Sequence, residues 1–240
     1  MEDGAAVMRP AAPASEEPVL DLADEEATRR LAGEIAAVLA AGDMVTLSGD
    51  LGSGKTTFAR ALIRHLAGDE TLEVPSPTFT LMQTYDLPRG PVVHVDLYRV
   101  NSPEELIEMG FADLVEDAVV LVEWPDRAHS LLPADRLDVA FAPVAARGES
   151  WRRALLAGRG AFADRLARMT MIGAFLREAG YADAARTPIK GDASTRAYER
   201  LTLGRRHVIL MNAPRRPDGP PVRDGLPYSR LVHLAEDDRQ

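Results

Sequence analysis

The sequence predicts an α/β fold built on a mainly parallel sheet with helices on its faces, and three observations predict it. Continuous apolar runs at 44–47, 92–95 and 119–122 are short and rich in β-branched residues, as strands buried on both faces are. Segments with a 3.6-residue apolar period fall between such runs, so strands alternate with helices. A glycine-rich turn over 49–54 joins the first run to a helical segment.

In chain order, residues 1–18 mix Ala, Pro and Glu without apolar periodicity and read as a flexible leader. A short strand is expected at 19–22, and Asp24 is placed to cap a helix whose Ala27, Leu31, Ile35, Val38 and Leu39 share a face. Gly42 is its expected stop. After the strand at 44–47 comes a helix over 56–66, with Phe58, Leu62 and Leu66 spaced for burial. Alternation around Phe79 and Leu81 suggests a partly exposed strand between 75 and 85. Ser102, Pro103 and Glu105 supply an N-cap, a proline at the first helical position and a capping box, with Gly110 as the stop. Residues 137–141 alternate like an antiparallel edge strand, to which 151–156 can pair. The α/β unit, 19–158, closes near Gly160. A helix over 161–179 then leads into a second unit, 159–213, where 198–203 and 207–211 form a hairpin around Gly204. From 214 to 240 Pro, Arg, Asp and Gly predominate, and little order is expected.

Composition narrows the chemistry. There is no cysteine, which excludes disulfides and thiolate metal sites and suits a reducing compartment. No apolar run approaches the roughly 20 residues of a membrane span, and the N-terminus lacks the pattern of a signal peptide. A cytoplasmic protein is therefore expected. The net charge of −9 argues against holding nucleic acid by phosphate neutralisation alone.

Gly49-Asp50-Leu51-Gly52-Ser53-Gly54-Lys55-Thr56 has Walker A spacing, preceded by a buried strand and followed by a helix. Glycines let backbone N–H groups face phosphates, the helix N-terminus adds partial positive charge, and Lys55 reaches the terminal phosphates. Thr56 can ligate Mg²⁺. Lys55 and Lys190 are the only lysines, so no Asn-Lys-x-Asp guanine motif exists and ATP is favoured over GTP.

Asp96 and Glu123 each end an apolar run, where a parallel sheet opens its ligand crevice. Together they could act on one metal or one attacking water; singly, either could be a solvated strand-end charge. Strand alternation turns His94 away from Val93 and Val95, and a packed or capped histidine is the expectation. Trp124 either covers the nucleotide or packs under a loop.

Four motifs in register, from Gly49 to Thr57, Ser76-Pro77-Thr78-Phe79, His94-Val95-Asp96-Leu97-Tyr98-Arg99 and Glu123-Trp124-Pro125, resemble the TsaE (YjeE) family over about residues 19–158. The resemblance implies a P-loop NTPase three-layer sandwich. It also implies an ATPase required for threonylcarbamoyladenosine in tRNA, acting with TsaD and TsaB so that turnover repeats. The tRNA would be met indirectly, through that complex. On the same resemblance Gly52, Ser53, Gly54, Lys55, Thr56 and Thr57 bind phosphates, Thr56 and Glu123 hold Mg²⁺, Asp96 assists metal or water, and Trp124 lies near the nucleotide. Glu25, Thr28 and Gly148 are further implied contacts, and Ser76 to Phe79 is a switch segment sensing the terminal phosphate.

A second resemblance covers about 170–214. Gly191-Asp192-Ala193-Ser194-Thr195-Arg196, Tyr198, Arg200-Leu201 and the run from Val208 to Pro214 look like the opening of an aminoglycoside-phosphotransferase-like sugar-kinase lobe, a partial α+β N-lobe. The catalytic lobe such kinases need does not fit after Ala213. Two other readings of the whole chain remain open: a small-molecule P-loop kinase, with Arg147, Arg152 and Arg153 as a basic lid, and a nucleotide-dependent binding module without significant hydrolysis.

Overall fold

The computed structural model describes residues 17–108, 110–111, 117–128, 131–189, 196–213, 221–223 and 226–227. Two compact units divide within one helix, the first ending at Ile172 and the second beginning at Gly173.

The first unit is a seven-stranded sheet with strand order β1-β7-β6-β2-β5-β4-β3. Its strands are β1 (Val19–Leu22), β2 (Met44–Ser48), β3 (Met82–Leu87), β4 (Gly90–Asp96), β5 (Val119–Glu123), β6 (Arg136–Pro143) and β7 (Arg152–Arg159). The central strands β6, β2, β5 and β4 are parallel, whereas β3, β7 and β1 join the flanks antiparallel. The helices are α1 (Glu25–Val38), α2 (Lys55–Ala67), α3 (Pro103–Glu108) and α4 (Phe162–Glu178), the last crossing the division.

Period-two alternation in each strand splits the core. On one face Val45, Leu47, Leu121 and Val139 pack with Leu31 and Ile35 of α1, Phe58 and Leu62 of α2, and Phe162 and Leu166 of α4. On the other, Met44, Val93, Val95, Val120 and Val122 pack with Leu106 of α3 and Phe111. Helices on opposite faces of one sheet make the expected three-layer sandwich.

Asp24 caps α1, its side chain accepting from Ala27 N at 2.7 Å. The helix ends at Val38 rather than at Gly42, because Leu39 is already extended. Arg89 donates to the carbonyls of Ala36 and Leu39, satisfying acceptors the helix end leaves open.

Further expectations need correction. The strand expected between 75 and 85 starts only at Met82 and runs on to Leu87. Positive φ at Leu81 separates it from an upstream loop in which Leu81 N bonds Pro77 O. Residues 137–141 are not at an edge, since β6 lies between β2 and β7. Its alternation arises because Leu137, Val139 and Phe141 face the helices, while Asp138 and Ala140 point to the other side. The leader's last two residues join the sheet region: Pro18 O accepts from Leu156 N and Glu17 pairs with Arg159 at 3.4 Å. Residues 1–16 lie outside the described residues.

In the second unit, β8 (Ala185–Ile189), β9 (Ala197–Leu203) and β10 (Arg206–Asn212) form an antiparallel sheet. The hairpin turns at Gly204 as expected, while β8 is an addition to the reading. Leu201 and Leu210 are buried, and Arg186 grips Glu199 at 2.6 and 2.8 Å. Residues 190–195, with Lys190 and most of the Gly191 to Arg196 motif, lie outside the described residues. Within the tail expected to lack order, β11 (Pro221–Arg223) pairs with β12 (Leu226–Pro227). Among the described residues no helix is long and apolar enough to cross a membrane.

Candidate nucleotide site

The loop from β2 to α2 is shaped by glycine. Gly49 has φ 129°, and a Cβ there would sit 2.2 Å from the carbonyl oxygen of Phe141, so only glycine fits without moving β6. Gly54, with φ 109°, hands the chain to the first residue of α2. Ser53 Oγ is buried in the loop without a hydrogen-bond partner.

Lys55 is buried and donates to the carbonyls of Gly49 and Asp50 at 2.8 and 2.9 Å. Its Nζ lies 3.8 Å from the centroid of the Trp124 ring. Burial pushes its pKa down, against the pull of Glu123, Asp96 and Asp50.

Asp96 and Glu123 are register partners at the ends of β4 and β5, which brings together two acids that lie far apart in the chain. Thr56 Oγ1 donates to Glu123 Oε2 at 2.9 Å. His94 Nε2 is 3.0 Å from Glu123 Oε1; an ionised carboxylate only accepts, so Nε2 carries the proton of this bond. His94 Nδ1 is buried without a partner. Asp96 accepts from Thr78 Oγ1 at 2.6 Å, Ser76 Oγ at 3.4 Å and Tyr98 N at 3.0 Å. His94, Asp96 and Glu123 are 0%, 3% and 1% exposed, so strand-end charges in solvent are excluded.

Trp124 has φ 61° and donates its backbone N–H to Leu47 O at 3.1 Å. Its ring meets both Tyr98, at 5.1 Å between centroids, and Lys55. It therefore lines the site and packs beneath the loop at once.

These groups surround a cavity of about 520 Å³. Of the residues expected from the sequence, Gly52, Gly54, Lys55, Thr56 and Thr57 form its floor, and Ser76, Thr78, Asp96, Glu123 and Trp124 line one side. Glu25 and Thr28 of α1 line the other. Gly49 and Ser53 act within the loop. Pro77, Phe79 and Gly148 are not in the lining. Phe79 is 81% exposed beneath the Arg99 guanidinium, and Gly148 sits in the turn before Trp151, whose N–H it accepts.

Sequence reasoning missed Asp24, Leu51, Tyr98 and Ser150 as lining residues and placed Arg152 only in a possible lid. Ser150 Oγ donates to Ala23 O at 3.0 Å, clamping the β6–β7 connection to the start of α1. His94 had one usable signal: two residues before Asp96 on a strand, it shares that acid's face.

The residues fit a magnesium nucleotide. Among the described residues no three His, Cys, Asp or Glu side chains cluster as metal ligands. Magnesium needs fewer, since one or two protein oxygens plus phosphates suffice.

A glycine-shaped phosphate loop between a central parallel strand and a helix, with acids ending the next two strands of the sheet, β5 and β4, defines a P-loop nucleotide-binding protein. The family model described as Threonylcarbamoyl adenosine biosynthesis protein TsaE matches residues 22–151. The chain belongs to the TsaE family of P-loop ATPases. It is 42% identical over 121 residues to the tRNA threonylcarbamoyladenosine biosynthesis protein TsaE of Rickettsia felis, covering 50% of this chain and 70% of that one. Against the protein of the same name from Aquifex aeolicus it is 39% identical over 106 residues, 44% of this chain and 75% of the relative. The crystal structure of Bacillus subtilis YdiB superposes with a TM-score of 0.50 at 27% identity, covering 69% of this chain and 97% of that one.

Proposed function

We propose that this chain is a cytoplasmic, Mg²⁺-dependent ATPase of tRNA threonylcarbamoyladenosine biosynthesis, weak alone and stimulated in a complex with TsaD- and TsaB-type partners, where it permits repeated turnover. The tRNA is met through that complex, in keeping with the acidic net charge. The observation that carries the reading is the bond from Thr56 to Glu123 at 2.9 Å with Asp96 beside it in register. It joins the phosphate loop to the strand-end acids at a single point.

Bound Mg·ATP supplies the phosphoanhydride that is cleaved and the metal charge that offsets the developing negative charge. The chain's own groups do the rest. Gly52, Ser53, Gly54, Thr56 and Thr57 present backbone amides to phosphate, Lys55 adds an ammonium, and Thr56 with Glu123 holds the metal. Asp96 assists in orienting metal or water, and Trp124 lies against the nucleotide. Ser76 and Thr78, bonded to Asp96, make 76–79 a segment that reports the terminal phosphate to the surface through Phe79. Glu25 and Thr28 contact the nucleotide from α1.

The same reading divides the chain into a leader at 1–18, the ATPase at 19–158, a linker helix with a phosphotransferase-like N-lobe at 159–213, and a tail at 214–240. The three-stranded sheet of the second unit suits such a lobe. A metabolite kinase is less favoured, because two of its candidate lid residues, Arg147 and Arg153, are tied to Asp21 at 3.1 and 3.0 Å.

Reconstitution tests the proposal. With TsaD, TsaB, threonylcarbamoyl-AMP, tRNA and ATP, adding this chain should raise modified tRNA past one per complex. Lys55→Ala and Thr56→Ala should each weaken Mg·ATP binding at least tenfold, read by calorimetry. Yields that stop at one turnover with the parent chain would leave a binding module; unchanged affinity in both variants would remove the nucleotide site.

A further inference from the structure

Among the side chains lining the cavity the charges do not balance. Asp24, Glu25, Asp96 and Glu123 are acidic, and Lys55 and Arg152 are the cations facing them. A polyphosphate entering this cavity adds several negative charges to that set, and one lysine with one divalent cation leaves it in excess.

Arg152 differs from its neighbours. Arg147 and Arg153 spend their charge on Asp21. The Arg152 guanidinium instead bonds neutral carbonyls: Glu149 O and Trp151 O from Nη1, and Gly52 O of the phosphate loop from Nη2 at 3.4 Å. Its Nε lies 4.0 Å from where a Cβ on Gly54 would stand. The first residue of β7 thus delivers a cation to the loop that grips phosphate, with no carboxylate among those bonds to offset it.

We propose that Arg152 is a second phosphate-binding cation of the nucleotide site, which recognises the polyphosphate by charge-assisted hydrogen bonds alongside Lys55. The proposal rests on the nucleotide reading above and extends it to a residue placed by the opposite flank of the sheet.

Equilibrium binding of ADP, ATP and inorganic tripolyphosphate to the full chain tests it, comparing the parent with Arg152→Gln, Arg152→Lys and, as a charge control, Arg147→Gln. Arg152→Gln should weaken each ligand about tenfold or more and make binding less sensitive to salt. Arg152→Lys should recover much of that loss, and Arg147→Gln should stay near the parent. Parental affinities and salt dependence in Arg152→Gln, with the parent binding normally, would overturn the inference alone. Equal loss in Gln and Lys together with lower melting temperatures of the ligand-free chains would overturn it too, making Arg152 a structural staple. A parent that binds none of the three ligands would overturn the nucleotide reading itself, and the inference with it.

Discussion

The two walls of the cavity are built differently. On the sheet wall, His94, Asp96 and Glu123 are buried, and the named carboxylate oxygens have defined donors. Ladder register fixes their spacing, and any shift would leave a buried polar atom unpaired, at about 1–3 kcal/mol each. On the α1–β7 wall, Asp24, Glu25, Ser150 and Arg152 are more accessible and are joined mainly by side-chain to backbone bonds such as Ser150 to Ala23 O. The rigid wall suits groups whose geometry must match a charge distribution as it develops. The accessible wall suits recognition, where a lost contact costs affinity and leaves the chemistry intact.

The largest effect should come from breaking the rigid wall at Glu123. Glu123→Gln keeps the shape and removes the charge, so single-turnover hydrolysis should fall by about two orders of magnitude or more, with ATP affinity within a few-fold of the parent. A rate near the parental one would place the chemistry elsewhere. Next in size is His94→Leu, which strips the donor from Glu123 Oε1. Hydrolysis should drop about tenfold and the melting temperature with it, whereas His94→Gln should restore part of the rate by offering an amide N–H. If Gln and Leu behave alike, His94 serves packing only. Smaller again, Thr28→Ala and Glu25→Ala should raise the nucleotide Kd about two- to fivefold, with the saturated single-turnover rate unchanged. A change in that rate would erase the distinction between the walls.

The same distinction decides what the sequence could tell. The phosphate loop is contiguous, and the strand-end acids follow apolar runs, so local pattern places both. The far wall is assembled by long-range pairing: β1 meets β7 with Val19 opposite Leu155, which brings Ser150 to Ala23 and Arg152 to Gly52. No local periodicity encodes that. The loop before β3 misled for another reason. Its alternating residues mimic a strand, but Ser76 and Thr78 are polar because they bond Asp96, and positive φ at Leu81 stops the ladder. Gly148, implied by resemblance alone, lies two residues from a lining position and stays out of the cavity.

An acid elsewhere on the same sheet gives the comparison its control. Asp138 sits on β6, receiving bonds from Arg159, Thr46 and Arg136 at 2.8, 2.8 and 2.7 Å, and it is absent from the lining of the nucleotide cavity. Burial alone would raise its pKa, but those bonds outweigh it and hold the carboxyl below its ordinary value. A folded pKa below the unfolded one, about 3.9, means that stability is present above that value and is lost as pH falls through the folded pKa. Asp138→Asn should therefore melt below the parent at pH 7, and the gap should narrow as pH drops into the range where the parent's carboxyl is protonated. Its single-turnover hydrolysis at pH 7 should match the parent's. A gap independent of pH would make the contribution one of shape rather than charge, and a slowed turnover would bring the remote acid into the function reserved here for Glu123.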